Sequence, residues 1–231
     1  NPEIKLSFRM MKPDWWVIRN IYKVGFPSII MNSISSVMVF AMNYILNVFS
    51  EAVVTAFGLY FKLQSFVFMP VFGMNSGVVP IEAYNYGAGR PDRIRKTIRY
   101  AVFYAVGIML VGLILFETIP TQLLELFTEE KQVISLGTTA LRIIAIHFPL
   151  AGVSIMFMSS LQALGRPIRS LLVSVARQLV VLVPCAKLLS LTGNLDLVWL
   201  AFPIAELVSL TLVSIFLAGT IQLQDLLDYR I

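Results

Sequence analysis

YNYGAGRPDRIRK, residues 84–96, and GRPIR, residues 165–169, are wet, basic, glycine-broken stretches in a chain that is otherwise strongly apolar. Each has Gly, which ends a helix, then a cation, then Pro, which starts the next helix at no cost because its missing N–H has no partner there. What flanks them decides the fold. Val24–Ser50, Leu63–Ile81, Tyr100–Phe116, Ile143–Gly165 and Leu207–Gln224 are uncharged runs. They meet or nearly meet the 20 or so residues that a helix needs to cross the hydrocarbon layer. A sixth apolar stretch, Ile168–Leu195, is interrupted by Arg169, Arg177 and Lys187.

Composition agrees. With 58% hydrophobic residues, 13% charged residues and a mean hydropathy of +0.81 over 231 residues, the chain is too apolar for a soluble domain and reads as an integral membrane protein. The runs are apolar all round and lack the alternation of a lipid-facing strand, so the fold class is all-α, a polytopic protein of six transmembrane helices. The spans are expected at about 24–50, 52–83, 97–118, 135–162, 168–190 and 196–221, behind a basic interfacial lead-in at 1–23 and ahead of a cytoplasmic tail at 222–231. The chain begins at Asn1 without a start methionine or a signal peptide, which suggests a fragment. Cys185 has no partner for an internal disulfide.

Charge sets the orientation. Of 18 Lys and Arg, 13 fall on one side: Lys5, Arg9, Lys12, Arg19 and Lys23, then Arg90, Arg93, Arg95, Lys96 and Arg99, then Arg166 and Arg169, then Arg230. The alternate loops carry Glu51, Glu117, Glu125, Glu129, Glu130 and Asp196. The positive-inside rule then puts both ends of this chain and both GRP turns in the cytoplasm of a cell, or inner, membrane. In that setting the net charge of +5 speaks for topology and phospholipid contact, not for nucleic acid.

Several details follow from local pattern. Trp15 and Trp16 beside Lys12 and Arg19 suit the membrane surface. Pro70, Gly73, Gly77 and Pro80 mark either bends beside a transport path or close helix packing. The third span, free of charge and amide, is the best candidate to face lipid. PTQLLELF, residues 120–127, reads as a short amphipathic surface helix.

Counting 1.5 Å of rise per residue places Asn32, Lys62, Gln64, His147, Arg177, Gln178 and Glu206 near the middle of their spans, with Arg142 nearer the outer face. Ionisable groups at that depth cost a few kcal/mol each and are expected to face a cavity or one another. These eight are the candidate cavity-lining and substrate residues, with Glu206 the candidate for ion coupling. Lys62, Arg142 and Arg177 against Glu206 leave an excess of positive charge, which calls for carboxylates from elsewhere or for an anionic ligand. Pairing that only glues helices together is the bland alternative.

Catalysis finds no inventory. His147 stands without a second His or a Cys cluster for a metal. It has no serine in a nucleophile setting, and GAGR lacks the Lys-Ser or Lys-Thr ending of a phosphate loop. No catalytic residue, metal or cofactor is expected, and the chain is not expected to be an enzyme.

GLYFKLQSFVFMPVFGMNSGVVPIEAYNYGAGRPDRIRK, residues 58–96, and FMSSLQALGRPIRSLLVSVARQLVVLVP, residues 157–184, resemble the carboxy-terminal half of a multidrug and toxic compound extrusion (MATE) transporter. The likeness is carried by Gln64, Pro70 with Gly73, Tyr84–Gly89, Gln162–Arg166, and Arg177 with Gln178. It implies twelve helices in two lobes, of which this chain is helices seven to twelve, with an amino-terminal six-helix lobe as partner. It implies export of small organic, often cationic, compounds by alternating access, driven by a proton or sodium gradient. Some members of the family use carboxylates in the seventh or tenth helix for coupling. Here the first span offers Asn32, Asn43 and Asn47, and the fourth Arg142 and His147, so Glu206 or an acid in the other lobe would have to serve. A flippase of the same superfamily moving a lipid-linked anionic precursor, or a non-transporting membrane scaffold, are the alternatives.

Overall fold

The computed structural model describes residues 13–228, apart from the side chains of Val24 and of residues 223–228. The described chain is all-α: α1 (Trp15–Leu46), α2 (Glu51–Gly87), α3 (Pro91–Thr118), α4 (Pro120–Glu125), α5 (Lys131–Ala145), α6 (Phe148–Ala163), α7 (Pro167–Val175), a π-helical stretch (Ala176–Leu182), α8 (Val183–Ser190), α9 (Leu195–Trp199) and α10 (Ala201–Asp228). Five stretches are long and apolar enough to cross a membrane, and α5 with α6 makes a sixth span bent by 53°. Most of the expected lead-in, residues 1–12, and the last residues of the tail, 229–231, lie outside the described residues.

Helix ends follow local chemistry. α1 starts at Trp15 because Asp14 Oδ1 accepts from the Trp16 and Val17 amides at 2.8 and 3.4 Å. Trp15 and Trp16 therefore open the first spanning helix and do not form a separate surface segment. That helix ends at Leu46, four residues short of the expected Ser50, because Ser50 instead caps α2 by accepting from the Val53 amide at 3.3 Å.

The two GRP turns share one geometry. Gly89 and Gly165 sit at φ 62 and 72, in the left-handed region that favours glycine. The next amides, of Arg90 and Arg166, reach back to the carbonyls of Asn85 and Leu161 at 3.0 and 2.8 Å, closing each helix with a Schellman motif. Pro91 and Pro167 then start α3 and α7. Ile94, Leu161, Leu164 and Val173 share one apolar cluster, so both turns lie at the same end of the bundle.

The fourth span departs from the single helix expected over 135–162. Pro149 has no N–H for the Ala145 carbonyl and its ring crowds that carbonyl, so α5 stops at Ala145 and α6 restarts at Phe148. The His147 ring Nδ1 binds the Ile144 carbonyl across this break. The fifth span, Pro167–Ser190, is continuous but widened by the π-helical stretch that carries Arg177 and Gln178. At the other end of α4, Leu124 is fully buried, so this short helix is anchored in the core and not merely laid on the surface.

Packing concentrates on α2, α3, α6 and α10. α3 buries Ala101, Ala105, Met109, Gly112 and Phe116 in one stripe and exposes Phe103, Val111 and Ile114, so only its outer half is free to face lipid. Gly152 of α6 lets that helix approach the α3 backbone, since a Cβ there would sit 3.3 Å from the Ala105 backbone. Gly73 and Gly77, by contrast, have nothing within 4 Å of a Cβ position, so packing inside this chain does not explain them. α2 runs unbroken through Pro70 and Pro80. Near its end, Glu82 and Asn85 are buried, so the stretch that begins at Tyr84 is wet only beyond the helix end.

The turn geometry makes a prediction. Alanine at Gly165 meets the left-handed penalty of about 1–2 kcal/mol and should lower the Tm of the detergent-solubilised protein. Gly87→Ala, in right-handed helix with open space around it, should not lower it.

Candidate functional site

A cavity of 570 Å³ lies between α1, α2, the α5–α6 bend, α6, the π-helical stretch and α10. Helical spacing builds its walls. Ser28, Asn32 and Ser35 recur at four and three residues along one face of α1. Tyr60, Gln64 and Phe68 do the same on α2 at intervals of four. Phe61, Phe72, Phe202, Met31, Met69 and Met158 add apolar surface. Asn32, Ser35, Ser65 and Phe72 are exposed, so the cavity is open along its α1–α2 side.

Its deepest charged group is Glu206 of α10, which is 2% exposed. Arg177 Nη1 donates to Glu206 Oε2 at 3.0 Å, and this is the ion pair of the cavity. Arg177 reaches it from the π-helical stretch, whose wider turn presents both Arg177 and the buried Gln178 to the cavity. Such wide turns recur at functional positions because they aim side chains that a regular helix would turn away. Gln178 Nε2 is fixed by donating to Ser174 Oγ at 2.9 Å.

Aromatic rings frame the pair. The His147 ring lies 6.2 Å from Phe202, and Tyr60 packs on the same Phe202 at 6.0 Å. Around the pair, Tyr60 Oη, Arg177 Nε and Glu206 Oε1 are buried with no hydrogen-bond partner, and Asn75 Oδ1 is likewise unpartnered in the cavity wall. A donor N–H and a hydroxyl are thus unused in the wall of a site large enough for an organic solute.

Of the eight residues read as mid-depth polar groups, the structure brings together Asn32, Gln64, His147, Arg177, Gln178 and Glu206 around this cavity. Lys62 and Arg142 are exposed and do not line it. Lys62 follows Tyr60 by two residues, roughly 200° around the helix, and its ammonium lies 5.9 Å from the Phe127 ring. Arg142 sits on the exposed face of α5, beside the buried stripe of Val133, Gly137, Ala140, Leu141 and Ile144. Depth counted along a straight helix ignores direction around it, and it fails again across the 53° bend. The expected excess of positive charge is therefore absent from the cavity: the Lys and Arg that line it reduce to Arg177, already paired.

Sequence reading also passed over Tyr60, Asn75, Ser159, Ser174 and Phe202 as lining residues. Tyr60 had a usable signal, one turn before Gln64 on the same face. Ser174 stands three residues before Arg177, a spacing that a regular helix would also bring near. Asn75 and Phe202 carried no mark of their own.

No cluster of three or more His, Cys, Asp or Glu positioned to hold a metal occurs among the described residues. Removing one member of the pair should reveal its worth. Arg177→Met leaves a buried carboxylate uncompensated, at a cost of about 3–5 kcal/mol. The Tm should fall, and should recover in Arg177→Met with Glu206→Leu, where no charge remains.

Comparison with known proteins agrees with this architecture. The chain is 24% identical over 196 residues to the multidrug export protein MepA of Staphylococcus saprophyticus, covering 85% of this chain and 43% of that protein. The MepA of Staphylococcus haemolyticus is 25% identical, with 86% and 44% covered. The chain thus spans less than half the length of these relatives. Among solved structures, a MATE protein in complex with MaL6 superposes with a TM-score of 0.88 at 21% identity, covering 96% of this chain and 51% of that one. A MOP superfamily transporter from Pyrococcus furiosus, described as having a binding pocket of reverse polarity, gives 0.88 at 22%, with 96% and 50% covered. The bent form of the Vibrio cholerae MATE transporter VcmN gives 0.86 at 19%, with 95% and 50% covered. These likenesses share the fold, and the sequence itself matches the MatE family over residues 27–186, more than half its length; the chain belongs to that family.

Proposed function

We propose that this chain is the carboxy-terminal lobe of a transporter that exports organic, often cationic, compounds in exchange for protons or sodium ions. Its partner is an amino-terminal six-helix lobe, and alternating access proceeds by movement of the two lobes about a central site. Its place is the cell membrane, with the basic end of the bundle in the cytoplasm, as the distribution of Lys and Arg favours. The relatives of about twice this length, described as multidrug export proteins, support the two-lobe reading.

The observation that carries the reading is the Arg177–Glu206 pair in a cavity walled by Phe, Met and small polar residues. The apolar walls take the organic body of a solute through burial of its surface. Glu206 does the coupling. A proton or sodium ion arriving at its carboxylate competes with Arg177, and each exchange changes which groups at the cavity floor carry charge. A cationic solute competes in the same way. Substrate and coupling ion thus exclude one another at one carboxylate, which is what antiport requires.

The flippase alternative rested on an excess of positive charge. With Lys62 and Arg142 outside the cavity and Arg177 paired with Glu206, the lining of this lobe lends that alternative no support. The scaffold alternative expects polar groups to be satisfied internally; Tyr60 Oη and Arg177 Nε, buried without a partner, favour the cavity reading.

The test is uptake of a fluorescent organic cation into inverted vesicles holding the full-length protein. Glu206→Gln should lower gradient-driven uptake by roughly tenfold or more, the loss of an interaction of about 1.4 kcal/mol. Lys62→Gln, on the opposite face of α2, should leave uptake near the wild-type rate. Equal uptake by wild type and Glu206→Gln, at matched protein levels, would contradict the coupling role.

A further inference from the structure

A second buried carboxylate lies outside the cavity and is used by nothing described so far. Glu82 of α2 is 0% exposed, and it precedes the helix end at Gly87 by five residues, about 7.5 Å of rise, near the GRP turns. It makes no ion pair among the described residues. Arg90, Arg93, Lys96 and Arg99, which follow it in sequence, are all exposed.

The oxygens around Glu82 are arranged unusually. Ser160 of α6 has its Oγ 3.1 Å from Glu82 Oε1 and 2.9 Å from the Met156 carbonyl. A hydroxyl has one hydrogen, so it can satisfy only one of these two acceptors. When it serves Met156, its lone pairs face the carboxylate. Asn85, one turn after Glu82 on the same face, donates from Nδ2 to the Ile81 carbonyl at 2.8 Å, which leaves its Oδ1 as a free acceptor. Asn85 Oδ1 and Glu82 Oε2 are both buried without a partner. Here are four side-chain oxygens on two facing helices: Glu82 Oε2 and Asn85 Oδ1 have no partner, Glu82 Oε1 shares the single Ser160 hydrogen with the Met156 carbonyl, and Glu82 has no counter-charge among the described residues.

Such a set is costly when left alone and is what a hard cation seeks. Oxygen ligands, one of them a carboxylate, suit small cations of low polarisability, and a buried carboxylate gains most from a counter-charge. We propose that Glu82, Asn85 and Ser160 form a second cation site, at the basic end of the lobe, that takes a small monovalent cation of the sodium class. The site is distinct from the cavity: α6 gives Ser159 to the cavity and the adjacent Ser160 to Glu82. A cation there ties α2 to α6, two helices that also wall the cavity. The inference does not depend on the transport reading.

The experiment compares the Tm of the full-length protein in detergent with sodium chloride and with choline chloride at equal ionic strength. A ligand that binds only the folded state raises Tm in a saturable way, so sodium should raise Tm where choline does not. In a Glu206→Gln background, where the cavity carboxylate cannot hold sodium, Glu82→Gln should abolish the sodium-dependent rise. Ser160→Ala and Asn85→Ala should weaken apparent sodium affinity by about tenfold or more, the scale seen when groups around a metal are lost. Glu206→Gln should keep the rise. In that Glu206→Gln background, an equal rise with choline, a sodium-dependent rise that survives the added Glu82→Gln, or the absence of any sodium-dependent rise would each overturn the proposal. If Glu82→Gln does not fold, sodium titration of Ser160→Ala decides: unchanged affinity overturns it.

Discussion

A carboxylate in the middle of a membrane-spanning lobe must be compensated, and the arrangement around Glu206 follows from that requirement. At 2% exposure it has one counter-charge, Arg177, at 3.0 Å. Arg177 can reach it because the fifth span leaves regular helical geometry between Ala176 and Leu182. Phe202, one turn before Glu206, packs against His147 and, edge-on, against Tyr60, so the same α10 face that positions the acid also holds the α5–α6 bend and α2 in place. The wall of the cavity and the pair at its floor are therefore one packing unit.

Irregular backbone is what lets straight apolar helices form a polar interior. Pro149 breaks the fourth span, and the π-helical stretch widens the fifth. Breaks of this kind are tolerated in a membrane only where the freed backbone groups meet protein or a water-lined space. The loops, by contrast, are rigidly specified: two Gly residues at positive φ and two Pro residues at helix starts set both turns at the basic end. They fix how neighbouring spans are aligned, while the interior retains unpartnered polar atoms.

The fold was legible because the signals that define it are local. Apolar runs announced the spans, and Gly-Arg-Pro announced the turns. The candidate site was legible only in part. Counting rise gave depth, which found Glu206, Arg177 and Gln178, but it carried no direction, so Lys62 and Arg142 were drawn in although they sit on other faces. The π-helical geometry around Arg177 had no signature in ARQLVVL. Glu82 was hidden by its setting, since a carboxylate beside a basic, hydrophilic turn reads as solvated. Its burial comes from the packing of α2 on α3 and α6, which no single helix encodes.

The central claim is that solute meets this lobe at the cavity floored by Arg177 and Glu206. The most direct measurement is labelling of single cysteines, in a protein with Cys185 replaced by Ala, at Asn32 and Gln64 on the cavity wall and at Lys62 on the opposite face of α2. A water-soluble thiol reagent should modify the cysteines at 32 and 64, and a transported solute should slow that modification severalfold while leaving position 62 unaffected. Equal protection at all three positions, or none at 32 and 64, would contradict it.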